Sequence, residues 1–347
     1  STTANYEVDT KAVTVDSFTI TDSVIVIGDT PTVTIVFSEA VAGFSSDDDV
    51  TVQNGSLATM TSSDNITWTG TFTPSSDIED ATNVMSLATS YTDTAGNAGP
   101  SATTDNYAID TIRPTVAAFT MSDTALISGE TSTVTLQFSE AVASFSSDDD
   151  ITVQNGSLAT MTSSDNITWT GTFTPTSSVE DATNVLTLAT SYTDTAGNAP
   201  ASTSTTDNYT VDTTAATVVA FTLSDSALKI GDTATVTLQF SEAVSGFSSD
   251  DDITVKNGSL ATMTSSDNIT WTGTFTPSSD VEDATNVLTL ATSYTDTAGN
   301  APASTSTTAH YTVDTTAATV AAFTLSDTAL KIGDTATVTL QLSLIHI

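Results

Sequence analysis

The chain has 347 residues, no cysteine, and 42 acidic residues against 5 basic ones, for a formal net charge of −37. That length favours two or three domains over one core. The charge excludes nucleic acid and anionic lipid as partners, because Lys11, Arg113, Lys229, Lys256 and Lys331 are too scattered to form a basic patch.

Ser1 is not an initiating methionine and no signal peptide precedes it, so the natural protein is expected to begin upstream. From there the chain reads as short strands. Val33, Ile35 and Phe37 alternate with Thr32, Thr34 and Val36, the pattern of a half-buried strand. Ile66, Trp68 and Phe72 alternate with threonines, and Met85, Leu87 and Tyr91 do the same further on. Asn54-Gly55 between two such runs predicts a hairpin, since both residues tolerate positive φ. The expected strands are A from Val13 to Thr21, B from Thr32 to Ser38, C from Val50 to Gln53, D from Leu57 to Thr61, E from Ile66 to Thr73, F from Val84 to Thr92 and G from Thr103 to Ile109. Seven short strands separated by turn residues predict a β-sandwich. No apolar run approaches the roughly 20 residues of a spanning helix, so membrane insertion is not expected of this segment.

The module then repeats. Tyr6, Tyr107, Tyr209 and Tyr311 sit in equivalent phrases, so the steps are 101, 102 and 102 residues. Phe37-Ser38-Glu39, Phe138-Ser139-Glu140 and Phe240-Ser241-Glu242 keep the same step. The organisation is read as the end of a preceding repeat (1–9), complete repeats at 10–110, 111–212 and 213–314, and the start of a fourth at 315–341. Residues 342–347, Leu-Ser-Leu-Ile-His-Ile, replace the expected Phe-Ser-Glu-Ala-Val. They read as a translated sequencing adapter, so the natural chain is expected to continue past Gln341. The fold class is all-β: tandem immunoglobulin-like seven-stranded β-sandwiches in a linear array.

The combination of Phe-Ser-Glu-Ala-Val, Asn-Gly, Tyr-Thr-Asp-Thr-Ala-Gly-Asn-Ala and Asn-Tyr-x-x-Asp-Thr at fixed spacing resembles the bacterial Ig-like domains of large repetitive surface adhesins, of the biofilm-associated and type I-secreted kind. The resemblance covers the chain to Gln341. It implies an extracellular, cell-tethered extender, often stiffened by calcium, with no catalytic residues to carry over.

Antiparallel alternation places the start of strand A and the B–C, D–E and F–G loops at one end of each module. Acids concentrate there. Asp9, Glu39 and Asp93 with Asn97 are expected to share that end, as are Asp110, Glu140, Asp194 and Asn198, and Asp212, Glu242, Asp296 and Asn300. Carboxylate and carbonyl oxygens converging at a junction suit Ca²⁺, which takes six to eight oxygen ligands in flexible geometry. The competing reading is a solvated acidic face whose Asp-x-x-Gly-Asn segment is only a tight turn with Gly96 at positive φ. Asp47 to Asp49 are divided evenly between the two readings, while Glu79 and Asp80 read as solvated. Trp68, Trp169 and Trp271 read as packing residues rather than sugar platforms.

The expected function is therefore the stalk of a bacterial cell-surface adhesin, supporting adhesion or biofilm formation, with calcium as a structural cofactor. Its expected partners are neighbouring repeats and, through regions beyond this chain, a host, matrix or cell-surface ligand. A glycan- or matrix-binding module, or a spacer attached to a secreted enzyme, is the alternative. Catalysis is not expected, since one carboxylate site copied into every module is unlike a unique active site.

Overall fold

The computed structural model describes residues 7–343; Tyr6, in the first copy of the tyrosine phrase, and most of the terminal hexapeptide lie outside them. Contacts divide the chain into two compact units. The first holds residues up to 124, 131–174 and 184–208, and the second holds 125–130, 175–183 and 209 onward. The first unit contains the whole first repeat, and the second contains the whole third.

In the first repeat the strands are β1 (Val15–Ile20), β2 (Val24–Ile25), β3 (Thr32–Phe37), β4 (Val41–Ala42), β5 (Val50–Thr51), β6 (Gly55–Leu57), β7 (Thr67–Pro74), β8 (Glu79–Asn83), β9 (Ser86–Leu87), β10 (Thr92–Asp93), β11 (Ala102–Thr103) and β12 (Tyr107–Asp110). One helical turn, α1 (Ser46–Asp49), precedes β5. A four-stranded sheet runs β1-β3-β7-β6, and shorter sheets run β11-β9-β5, β2-β12-β8 and β10-β4. Strand β2, which follows the first predicted strand, pairs parallel with β12 and so lies in a different sheet from β1.

The alternation read from sequence sets the core. Val33, Ile35, Phe37 and Phe72 from the four-stranded sheet pack with Leu87, Tyr91, Tyr107 and Ile109 from the shorter sheets. Their outward neighbours are threonines, and Thr34 pairs with Thr69 and Thr32 with Thr71 across the sheet. In the second unit Val236, Leu238, Phe240 and Phe275 pack with Leu290, Tyr294, Tyr311 and Val313 in the same way. The strands at Val320–Leu325 and Val338–Leu342 form a hairpin on their own. Phe323 is 71% exposed where its counterpart Phe221 is 7% exposed, so this hairpin has no opposing sheet to bury it.

Three expectations change in detail. Seven strands become twelve shorter ones: the predicted sixth strand breaks into β9 and β10, the predicted seventh into β11 and β12, and β2, β4 and β8 form in segments expected as loops. Asn54-Gly55 does not close a hairpin: β5 pairs with β9, while β6 pairs with β7. Asn54 alone takes positive φ, 54°, and Gly55 is required by space, since a Cβ there would meet the Phe72 ring and come within 2.6 Å of the Thr73 carbonyl. Finally, Asp47 to Asp49 fall within α1 rather than in an open loop.

Candidate metal centre

Each repeat brings three carboxylates together: Asp9, Glu39 and Asp93; Asp110, Glu140 and Asp194; Asp212, Glu242 and Asp296. Within each group one oxygen from every residue lies within 4.8 Å of the others. Two oxygens bonded to one Ca²⁺ at 2.3–2.6 Å can be at most about 5 Å apart, so every group is tight enough to share a single ion. The donors are all hard oxygens. That set suits Ca²⁺ or Mg²⁺ rather than zinc or copper.

Local chain geometry positions each member. The linker aspartate takes the backbone N–H two residues on: Lys11 N to Asp9 Oδ1 at 3.0 Å, and Ile112 N to Asp110 Oδ1 at 3.0 Å, with Asp110 and Asp212 each ending a strand. The glutamate follows the strand that carries Phe37, Phe138 or Phe240 and is half-buried in the second and third groups. The third member lies at the start of the F–G loop and is buried, with Asp93, Asp194 and Asp296 each 1% exposed. Asp194 Oδ1 accepts the backbone N–H groups of Ala196, Gly197 and Asn198 at 2.7–2.9 Å. Gly197 at φ 119° bends the loop to aim them, as Gly96 at 97° and Gly299 at 116° do in the other repeats. The tight turn and the carboxylate cluster therefore coexist.

The asparagine of each group donates its amide N–H to the buried aspartate. Asn198 Nδ2 donates to Asp194 Oδ2 at 2.8 Å and to the Asp110 carbonyl at 3.1 Å. Its Oδ1 accepts from the Ile27 backbone N–H at 2.9 Å, which fixes the amide orientation. Asn300 repeats this with Asp296, the Asp212 carbonyl and the Ser128 N–H, the last at 2.9 Å. Asn97 Nδ2 donates to Asp93 Oδ2 at 2.8 Å. These amides orient the buried aspartate, and in the second and third groups each amide oxygen also accepts a backbone N–H.

Charge inside the groups is uncompensated. Among the described residues no basic side chain pairs with these carboxylates; Lys256 pairs with Asp283 at 2.9 Å, outside them. Burial pushes Glu140 above the usual glutamate range, and the charges of Asp194, Asp110 and Glu79 push it further. Glu242 is raised by burial and then by Asp296, Asp212 and Glu180. Asp110 is raised by burial, against the pull of the Ile112 N–H. Asp93 is lowered, first by the Asn97 amide and then by backbone N–H groups.

Glu79, read from sequence as solvated and exposed in the structure, and its counterpart Glu180 gain a neighbour that the sequence reading did not give them. Glu79 stands opposite Asp110 in the β8–β12 ladder, which puts an acid of one repeat beside the group of the next. Its partner Asp80 is used locally, accepting from Thr82 N and Asn54 Nδ2, both at 2.9 Å. Asp47 to Asp49 do not join any group. Asp49 is 3% exposed and accepts from Ser45 N at 2.8 Å and from the Ser90 hydroxyl, so it ties α1 to the loop before Tyr91. Trp68 packs against the core, edge-on to Phe44 at 4.8 Å, as a packing residue should.

Solved structures similar to this chain include two bacterial proteins and a segment of titin. FdeC, an Escherichia coli adhesin, is 13% identical with a TM-score of 0.32, covering 87% of this chain and 96% of its own. Invasin, a bacterial integrin-binding protein, is 15% identical with a TM-score of 0.30, covering 95% of this chain and 67% of its own. A three-domain Ig segment of titin is 9% identical with a TM-score of 0.44, covering 88% of this chain and 99% of its own. No curated protein sequence matches the chain. The profile of the bacterial Ig-like domain matches at residues 9–109, 110–211 and 212–313. Three consecutive matches over most of the length mean that the chain belongs to the bacterial Ig-like domain family.

Proposed function

We propose that this chain is a non-catalytic extender segment of a bacterial cell-surface adhesin, and that each carboxylate group holds a structural Ca²⁺ that stiffens the junction between repeats. The observation that carries the reading is the recurrence of one group in every repeat, built from a linker aspartate, the glutamate after a core strand and a buried F–G aspartate, with no basic partner. Like charges held this close repel, and a divalent cation converts that repulsion into attraction. Glu79 and Glu180 add a carboxylate from the preceding repeat, so an ion would bridge two modules rather than decorate one. Near-identical repeats suit length, while a unique binding or catalytic site would call for one module that differs. Bridged repeats at the cell surface would support adhesion or biofilm formation by carrying a ligand-binding region away from the cell.

Thermal unfolding followed by tryptophan fluorescence, against free calcium with magnesium as control, tests the ion. A ligand that binds only the folded state raises the midpoint, by about 2.7 kcal/mol of stability at a hundredfold excess over Kd. The expected result is a calcium-specific rise that shrinks in Asp212→Ala. A midpoint unmoved by millimolar calcium would reduce the groups to solvated acids.

A further inference from the structure

We infer that adjacent repeats dock through a dedicated socket and plug: the F–G asparagine of one repeat receives a β-turn of the repeat before it. The plug is set by sequence. In the turn from Val26 to Asp29, Asp29 N donates to the Val26 carbonyl at 3.2 Å, and Asp29 Oδ2 accepts from Val26 N at 2.9 Å. Gly28 takes φ 87° at the third position, as a type II turn requires. In such a turn the N–H of the second residue has no partner inside the turn, so it points outward. That residue is Ile27, and its N–H meets Asn198 Oδ1.

The arrangement is built twice. Ser128 occupies the second position in the next repeat, with Gly129 at φ 85° and Glu130 N on the Ile127 carbonyl, and its N–H meets Asn300 Oδ1. Isoleucine and serine serve equally because the contact uses backbone alone. The socket is rigid: Asn198 and Asn300 are 1% and 3% exposed, and each amide nitrogen is held by the buried aspartate and the linker carbonyl. An acceptor so enclosed, deprived of its donor, is left unsatisfied, so the docked turn completes the hydrogen bonding of the asparagine amide. The Ile127 side chain lies beside the same loop, since its Cδ1 would be 3.5 Å from a Cβ placed on Gly299.

The test removes one hydrogen and little else. Proline is favoured at the second position of a type II turn, so Ile27→Pro and Ser128→Pro keep the plug's shape and delete its donor. Ile230→Pro is the control, because its turn has the same geometry, with Gly231 at φ 84°, but no later F–G loop follows within the described residues. In the cysteine-free full chain, spin labels at cysteines replacing the exposed Thr71 and Thr172 report on the first junction. Labels at Thr172 and Thr274 report on the second. Ile27→Pro should lower the docked-to-undocked ratio at the first junction roughly tenfold, seen as a broadened distance distribution, and leave the second as in wild type. Ser128→Pro should do the reverse, and Ile230→Pro should broaden neither. Either proline variant giving the same distributions as Ile230→Pro would overturn the docking.

The same experiment separates this inference from the calcium reading. Broadening by the proline variants in a chain whose midpoint ignores calcium would remove the ion and keep the socket. A calcium-dependent midpoint with unbroadened proline variants would keep the ion and remove the socket.

Discussion

Two carboxylates of the second repeat illustrate opposite linkage to pH. Asp165 accepts the backbone N–H groups of Ile167 and Thr168, both at 2.9 Å, and the Ser163 hydroxyl. These bonds, Thr168 foremost, hold it below the ordinary aspartate range. Its contribution is present above the ordinary value and disappears as pH falls through the lowered one. Glu140 is shifted the other way, by burial and by the acids around it. Its folded form prefers the proton, so its favourable contribution is complete below the ordinary glutamate range and is lost as pH rises through the raised value. In chelator, Glu140→Gln is therefore expected to raise the unfolding midpoint at neutral pH and to change it little near pH 4. Asp165→Ala is expected to lower the midpoint at neutral pH and to lose that effect in acid. Midpoints of the two variants and wild type between pH 3 and 7.5, followed through Trp169, check both signs. Parallel curves for wild type and Glu140→Gln would mean that its charge is not felt.

At the scale of elements, the turn before β6 makes the sharpest prediction. Gly55 is confined by the Phe72 ring and the Thr73 carbonyl, whereas Gly28 faces open space and is constrained only by its φ of 87°. Gly55→Ala forces a methyl into a packed site and is expected to cost about 1–3 kcal/mol. Gly28→Ala strains the backbone without a clash and is expected to cost about 1 kcal/mol. Urea unfolding of the first repeat, read through Trp68, ranks the two; equal costs would mean that the Phe72 ring yields freely. This turn also marks where sequence reading stopped. Alternation located the core residues of β3 and β7 because side-chain period is a local property. Asn-Gly looked like a hairpin because the local signal for a turn is the same whether the flanking strands pair with each other or enter different sheets. The carboxylate groups were legible because each recurs at the same offsets from the Phe-Ser-Glu and Asp-x-x-Gly-Asn phrases in all three repeats. Glu79 was not, since its place beside Asp110 depends on ladder register between β8 and β12. The bond that Asn198 Oδ1 accepts was not legible for a related reason: its donor lies 171 positions away.

For the whole molecule the governing quantity is the net charge of −37, which opposes any compact state by self-repulsion. Two remedies exist, and they differ in their dependence on concentration. Monovalent salt screens the surface acids generally, and the screening length falls from about 30 Å at 0.01 M to about 8 Å at 0.15 M. Exposed acids such as Asp48, Asp77 and Asp105 should respond within that range and then saturate. The oxygens of each carboxylate group lie within 4.8 Å, closer than the screening length of about 8 Å at 0.15 M, so monovalent salt in that range should relieve them little. The expected outcome is a midpoint that rises with sodium chloride and flattens near physiological strength, with a further rise when calcium is added at constant ionic strength. That second rise should be lost in the combined variant Glu39→Gln, Glu140→Gln, Glu242→Gln, while the sodium response keeps its form. If saturating salt already gives the full stability and calcium adds nothing, the acids act as a diffuse charge cloud. If calcium adds its increment only when the glutamates are intact, the stabilisation belongs to the junctions, and what a stalk needs, order between one repeat and the next, follows from the same groups.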